Sequence, residues 1–240
     1  DTISSMKEAA VRMVVGYQAS KVKSSLKVKR NTKWVIQKNQ LGTAHAVKQA
    51  VPLLRKGSIA VVLYGDVPLV SLKTIKSLIR VTTSKSIGVL TFQTENPKGY
   101  GRIIRDNDKN IATIIEEKDA SLAEKAIKEV NSGIISIHSS MLGPLLKKIN
   151  NKNAAKEYYL TDIVSTASKE GISSIPLRLD NGNELLGANT PLELHNLERI
   201  YQTNLANKLI NGGIGVADSN RIDIRGSLNA GKGSFIDINN

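Results

Sequence analysis

The chain has 240 residues, 40% hydrophobic and 23% charged, with no cysteine; it can build a sizeable core, while a disulfide framework, thiolate metal sites and cysteine nucleophiles are excluded. A formal charge of +13 (34 Lys and Arg against 21 Asp and Glu) raises nucleic acid as a partner, but the basic residues are scattered and aromatics make up only 4%, so the stacking residues of a single-strand binder are missing. No run reaches the apolar length of a membrane span, and DTISSMKEAA lacks the pattern of a signal peptide. We therefore expect a cytoplasmic protein with neither nucleic-acid nor membrane partners. A start without methionine and a stop inside FIDINN read as a piece of something longer.

Apolar runs bounded by glycine and proline alternate with helical patterns, which predicts a mainly parallel sheet with crossover helices. VRMVV at Val11–Val15 and WVIQ at Trp34–Gln37 read as strands, followed by a helix from Thr43 to Leu54. The run IAVVLY at Ile59–Tyr64 is the clearest strand and ends at Gly65-Asp66; a helix over Ser71–Val81 and a strand at Ile87–Phe92 follow. Gly101–Arg105 and Ile111–Glu116 flank an Asn/Asp-rich turn and predict an inserted hairpin. A helix near Ser121–Lys128, a strand at Val130–His138 and a helix at Ser140–Ile149 come next, then a helix in EYYLTDIVSTASKEG and a strand in SSIPLRL. From Pro191 a long helix runs to about Ile210, with Leu192, Leu197, Ile200, Leu205 and Leu209 near one face, and ends at Gly212-Gly213. Beyond it, Ile222, Ile224, Leu228, Phe235 and Ile236 punctuate short extended pieces, a pattern shared by the opening coil of a parallel β-helix and by a loose tail.

Asp66 follows an apolar strand directly, where open α/β sheets collect ligands and where a carboxylate can hold Mg²⁺ through hard oxygen; an aspartate capping a turn looks the same. The segment from Gln37 through Gly42 to Thr43 offers an amide and a glycine turn at a helix start, groups that match a nucleobase edge. His45, His138 and His195 lie far apart without metal-ligand spacing, and neither G-x-x-x-x-G-K-[ST], G-x-G-x-x-G nor G-x-S-x-G occurs.

Taken in order, QLGTAHAV, LYGDVPLV, NPKGYGRIIRD, IIEEKDA, EVNSGI and EYYLTDIV resemble the uridyltransferase domain of the bifunctional N-acetylglucosamine-1-phosphate uridyltransferase / glucosamine-1-phosphate N-acetyltransferase family. The likeness extends over the long helix to NRIDIRGSL. It implies a Rossmann-like α/β nucleotidyltransferase followed by the start of a left-handed parallel β-helix, divided as 1–190, a linker helix 191–212 and a first coil 213–240. The implied reaction joins UTP and N-acetylglucosamine 1-phosphate to UDP-N-acetylglucosamine and pyrophosphate, for peptidoglycan and lipopolysaccharide synthesis. By resemblance, Asp66 and Asn189 hold Mg²⁺; Gln37, Gly42 and Thr43 read uracil; Gly101, Glu116 and Asn131 hold the sugar, with Tyr64 and Thr161 nearby. The parent family implies a homotrimer. Another sugar-1-phosphate nucleotidyltransferase and a non-catalytic sugar-nucleotide binder are the competing readings.

The departures also count. The family's Gly-rich phosphate loop with its Arg and Lys does not occur in these 240 residues, so the resemblance implies a domain lacking its N-terminal strand and phosphate loop, with no catalytic residue of its own and impaired turnover. Ser132 stands where the family has threonine, and the turn from Asp106 to Asn110 is one residue longer.

Overall fold

The structure, a computed structural model, describes residues 6, 8–26 and 31–238. The first five residues, and the last two of FIDINN, lie outside this range. The chain divides into two compact units: 1–64 with 70–182, and 65–69 with 183–240.

In the first unit, β1 (Val11–Val15) and β2 (Thr32–Ile36) pair in parallel as a two-stranded sheet, with α1 (Ala19–Ser25) between them in sequence. The helix α2 (Thr43–Ala50) gives way to a 3₁₀ turn at Val51–Leu53. This is four residues short of the expected end because Pro52 has no N–H to continue the α pattern. After β3 (Ile59–Val62) and α3 (Leu72–Arg80) comes β4 (Ser86–Gln93), buried along nearly its whole length. The expected hairpin forms from β5 (Arg102–Arg105) and β6 (Ile111–Ile115), antiparallel and closed by Asp106 Oδ1 accepting from Asn110 N at 2.8 Å. The short α4 (Leu122–Lys125) carries a Ser121–Glu124 capping box. β7 (Glu129–His138), α5 (Ser139–Lys148), α6 (Asp162–Lys169) and β8 (Ser173–Leu179) complete the unit.

The main sheet has the order β6-β5-β7-β4-β8, with β3 also on β7. It is mixed rather than mainly parallel. β3, β4 and β5 are each antiparallel to β7, and β8 is parallel to β4, so four strands run one way and β7 and β6 the other. The inserted hairpin and the long return strand β7 account for the difference. Ile87, Val89, Ile135 and Ile137 point to one face and pack against Leu142, Leu145 and Leu146 of α5 and Ile163, Val164 and Ala167 of α6. On the other face, Gly88 admits α3 so closely that a Cβ there would lie 2.9 Å from Leu78 O. Helices on both faces make this an α/β layered unit. EYYLT is not helical: α6 begins only at Asp162, because Tyr158 uses its backbone N–H and C=O on Leu41 O (2.8 Å) and Ala44 N (2.9 Å).

In the second unit, α7 (Pro191–Asn211) starts at a Thr190–Glu193 capping box. Its buried residues are Leu197, Gln202 and Ala206, and Ile200, Leu205 and Leu209 are half-buried, so the expected face is the packed one except at Leu192, which is 69% exposed. Gln202, a polar residue within the buried set, is satisfied by bonding Ile224 twice, receiving from its N–H at 2.8 Å and donating to its C=O at 3.3 Å. β9 (Gly215–Val216) and β10 (Phe235–Ile236) pair in parallel. Among the described residues no helix is long and apolar enough to cross a membrane.

Candidate functional site

The strand β2 leads into Gln37, whose backbone N–H continues the pairing to Val15 O at 2.8 Å. Gly42 then caps α2 with φ 111° and ψ 176°, a region open essentially to glycine alone. A Cβ there would fall 2.6 Å from Tyr158 O. Gln37 is buried and its Nε2 donates to Gly42 O at 3.1 Å. Thr43 begins the helix, and its Oγ1 accepts from Leu160 N at 2.9 Å. The three residues singled out for a base thus form one corner, backed by the segment from Tyr158 to Leu160.

A second group forms around β7. Asn131 is 6% exposed, its N–H donates to Gly101 O at 2.8 Å, and its side-chain Oδ1 is buried without a hydrogen-bond partner. Such an orphan is rare and calls for an explanation. A Cβ on Gly101 would lie 2.8 Å from Ile114 Cγ2, 3.6 Å from Glu116 Oε2 and 3.7 Å from the Asn131 Cβ, so the absence of a side chain there lets Ile114, Glu116 and Asn131 approach the Gly101 backbone closely. Thr161 Oγ1 donates to Glu116 Oε1 at 2.8 Å. Gly101, Glu116, Asn131 and Thr161 are therefore brought together from four separate segments. Tyr64 lies over Gly133, two residues along β7 from Asn131. The stretch 158–161 touches both groups, through Tyr158 and Leu160 on one side and Thr161 on the other.

This second group is acidic in a strongly basic chain. Burial pushes the Glu116 carboxyl above its ordinary range; the bond from Thr161 works against the rise and the charge of Asp119 adds to it. Burial, then Glu116 and Asp119, likewise raise Asp162, and burial with Asp119, Glu116 and Glu157 raises the Tyr159 phenol. Asp119 also accepts from Ala154 N at 2.9 Å, tying down the loop before Tyr158. Behind the group, the fully buried Arg102 donates to Glu117 Oε2 at 2.6 Å and to the carbonyls of Lys125 and Tyr100. It clamps the turn carrying Gly101 to the turn carrying Glu116. Sequence reasoning missed Arg102, Asp119, Asp162 and Gly133 although each sits inside or beside a quoted motif, since only the fold shows what they face.

Asp66 and Asn189 belong to the second unit. Asp66 O accepts from Ala188 N at 3.0 Å, one residue before Asn189, and a Cβ on Gly187 would lie 3.9 Å from Asp66 Oδ2. Asn189 N donates to Glu193 Oε2 at 2.7 Å, which leaves its side-chain carbonyl outside the capping box. No group of three or more His, Cys, Asp or Glu positioned for a metal exists among the described residues. One carboxylate and one amide oxygen are hard donors that suit Mg²⁺ when water and phosphate supply the rest.

Residues 6–180 match the nucleotidyl transferase family. The chain belongs to that family. It is 43% identical over 227 residues to the bifunctional protein GlmU of Francisella tularensis subsp. novicida, covering 95% of this chain and 50% of that protein. Against GlmU of Idiomarina loihiensis the identity is 41% over 239 residues, covering 100% and 52%. The chain thus spans about half the length of these relatives. Among solved structures it resembles HddC from Yersinia pseudotuberculosis (TM-score 0.55, 14% identity, 82% and 80% of the two chains). It also resembles a UDP-glucose pyrophosphorylase complexed with UDP-glucose (TM-score 0.55, 15% identity, 74% and 76%). At those identities the likeness concerns the fold, which is that of a nucleotidyltransferase.

Proposed function

We propose that this chain is the uridyltransferase part of a GlmU-type enzyme, which joins UTP and N-acetylglucosamine 1-phosphate into UDP-N-acetylglucosamine. The observation that carries this reading is the convergence of Gly101, Glu116, Asn131 and Thr161 around the unpartnered Asn131 Oδ1. A buried acceptor waiting for a donor, beside a carboxylate and a close-packed glycine backbone, suits hydroxyl and amide N–H groups of a neutral sugar. The local acidity argues that the sugar ring, not its phosphate, lies at this end. Gln37, Gly42 and Thr43 form the uracil corner, and Tyr64 borders the sugar. In the reaction a phosphate oxygen of the sugar 1-phosphate attacks the α-phosphorus of UTP in line, the α–β P–O bond breaks, and pyrophosphate leaves. Such a transfer depends on positioning and charge neutralisation rather than on a protein nucleophile. Asp66 and Asn189 hold Mg²⁺, which when bound neutralises phosphate oxygens.

The parallel pair of β9 and β10 supports reading 213–240 as the first coil of a left-handed β-helix, with 191–212 as the linker helix and 1–190 as the nucleotidyltransferase domain. A cysteine-free chain suits the cytoplasm, where UTP and sugar phosphates are found, and the parent assembly is a homotrimer. Calorimetry with UDP-N-acetylglucosamine and UDP-glucose tests the sugar assignment. Preference for the N-acetyl sugar, lost in Glu116→Ala, supports it; equal affinity for the two overturns it. Mg²⁺-dependent retention of UTP that survives Asp66→Ala removes the metal assignment.

A further inference from the structure

Gln37 is held by more than the backbone. Its Nε2 lies 3.1 Å from Gly42 O and 3.0 Å from Nδ1 of His45. On the far side of the imidazole, one helical turn on, the Gln49 amide stands 3.2 Å from His45 Nε2 and also reaches His45 O at 3.1 Å. As placed, both ring nitrogens face amide nitrogens. A neutral imidazole has one acceptor and one N–H, and an N–H cannot donate to an amide nitrogen, so one of the two amides must present its oxygen. The assignment of amide O and N follows from the network. Turning Gln37 over would set its oxygen against the carbonyl of Gly42, which already accepts from Ala46 N at 3.1 Å. Gln49 is only half-buried and turns at the cost of one bond to its own helix.

We infer that His45 is a positioning residue that sets the base specificity of this site, by holding Nδ1 unprotonated so that Gln37 keeps its amide nitrogen inward and its carbonyl oxygen toward the nucleobase. Both amide hydrogens of Gln37 are then committed, one to Gly42 O and one to His45 Nδ1, and Oε1 is what remains for a ligand. An acceptor there pairs with the N3–H of uracil and opposes the N3 lone pair of cytosine. A proton on Nδ1 would push the amide over, present its NH₂ group and reverse that preference. This inference rests on the reading of Gln37 as a base-contacting residue.

Calorimetric titration with UTP and with CTP, each with Mg²⁺, separates the two claims. The parent chain favours UTP, and Gln37→Ala erases the preference. His45→Leu, which removes the acceptor, lowers the UTP-to-CTP ratio about tenfold, the scale of one misdirected hydrogen bond. His45→Asn, whose Oδ1 restores an acceptor near the place of Nδ1, keeps most of it. Ring ¹⁵N NMR of the parent shows His45 in its Nε2–H form. An Nδ1–H tautomer, or a UTP preference untouched in His45→Leu, overturns the inference while leaving Gln37 as a base contact. A parent without UTP preference, or a Gln37→Ala variant that keeps it, removes the base assignment itself and this inference with it. The tautomer measurement uses the unmodified chain and so does not depend on the variants folding.

Discussion

Tyr64 rests on Gly133 so closely that a Cβ at 133 would sit 2.7 Å from the ring atom Cε2, and Gly133 itself adopts φ 82°. Both facts require glycine: the backbone conformation is disfavoured for other residues and the ring occupies the space. Gly133→Ala is expected to cost about 2–4 kcal/mol, combining backbone strain with overpacking. Thermal melting reads the loss, and an unchanged melting temperature would show that Tyr64 moves aside freely.

Asn131 concerns the same strand from its functional side. Its Oδ1 is buried without a partner, which costs stability in the ligand-free chain. Asn131→Leu, close in volume, is expected to melt at the parent temperature or above it, by up to about 1–2 kcal/mol of stability, while weakening UDP-N-acetylglucosamine binding more than about tenfold. Equal affinity in the variant would show that the orphan oxygen does not serve the ligand.

The Thr161 hydroxyl favours the ionised form of Glu116, whose carboxyl burial holds above its ordinary value of 4.5. A raised carboxyl binds its proton more tightly folded than unfolded. Its contribution is therefore complete below about pH 4.5 and is lost as pH rises through the folded value. Thr161→Val moves that folded value higher still and widens the window of loss. Urea unfolding should show parent and variant close together at pH 4 and well separated at pH 7. A gap of the same size at both pH values would contradict this account.

Glu129 runs in the opposite sense. Burial alone would raise it, but the hydrogen bonds from Arg105 and Thr91 and the charges of Arg105 and Arg178 outweigh burial and hold it low. Arg105 grips it at both oxygens, 2.9 and 2.6 Å away. A lowered carboxyl contributes stability above its ordinary value and loses it as pH falls through the folded value. Arg105→Gln is expected to cost roughly 1–3 kcal/mol at pH 7 and distinctly less near pH 3. Denaturant midpoints at the two pH values measure the difference.

Much of this arrangement is legible in the chain. Strand β4, the hairpin β5–β6 and the start of α7 announce themselves through an apolar run, an Asn/Asp turn and Pro191, all of which are local signals. The direction of β7 is not legible, because Val130–His138 reads as a buried strand whichever way it runs, and the antiparallel return is settled by α4 and the hairpin before it. Gln37 and Glu116 stand out as polar residues at strand ends. His45 does not: a lone histidine on a helix shows its use only once Gln37 and Gln49 are seen on either side of the ring. Leu192 misleads for a related reason, since helical periodicity marks a face but cannot show that Gln202 is the residue buried.

That glutamine has a further consequence. Gln202 offers Ile224 one donor and one acceptor, as the peptide group of a neighbouring strand would. The segment around Ile224 is thus docked edge-on to a helix that needs no partner strand to form. Once α7 has folded, the chain between the two residues closes into a single loop whose ends already match. The entropic cost of bringing β10 back beside β9 then falls on a shorter remaining stretch. The helix acts as a template for winding, and a one-residue insertion between Gln202 and Ile224 is predicted to slow refolding of this unit.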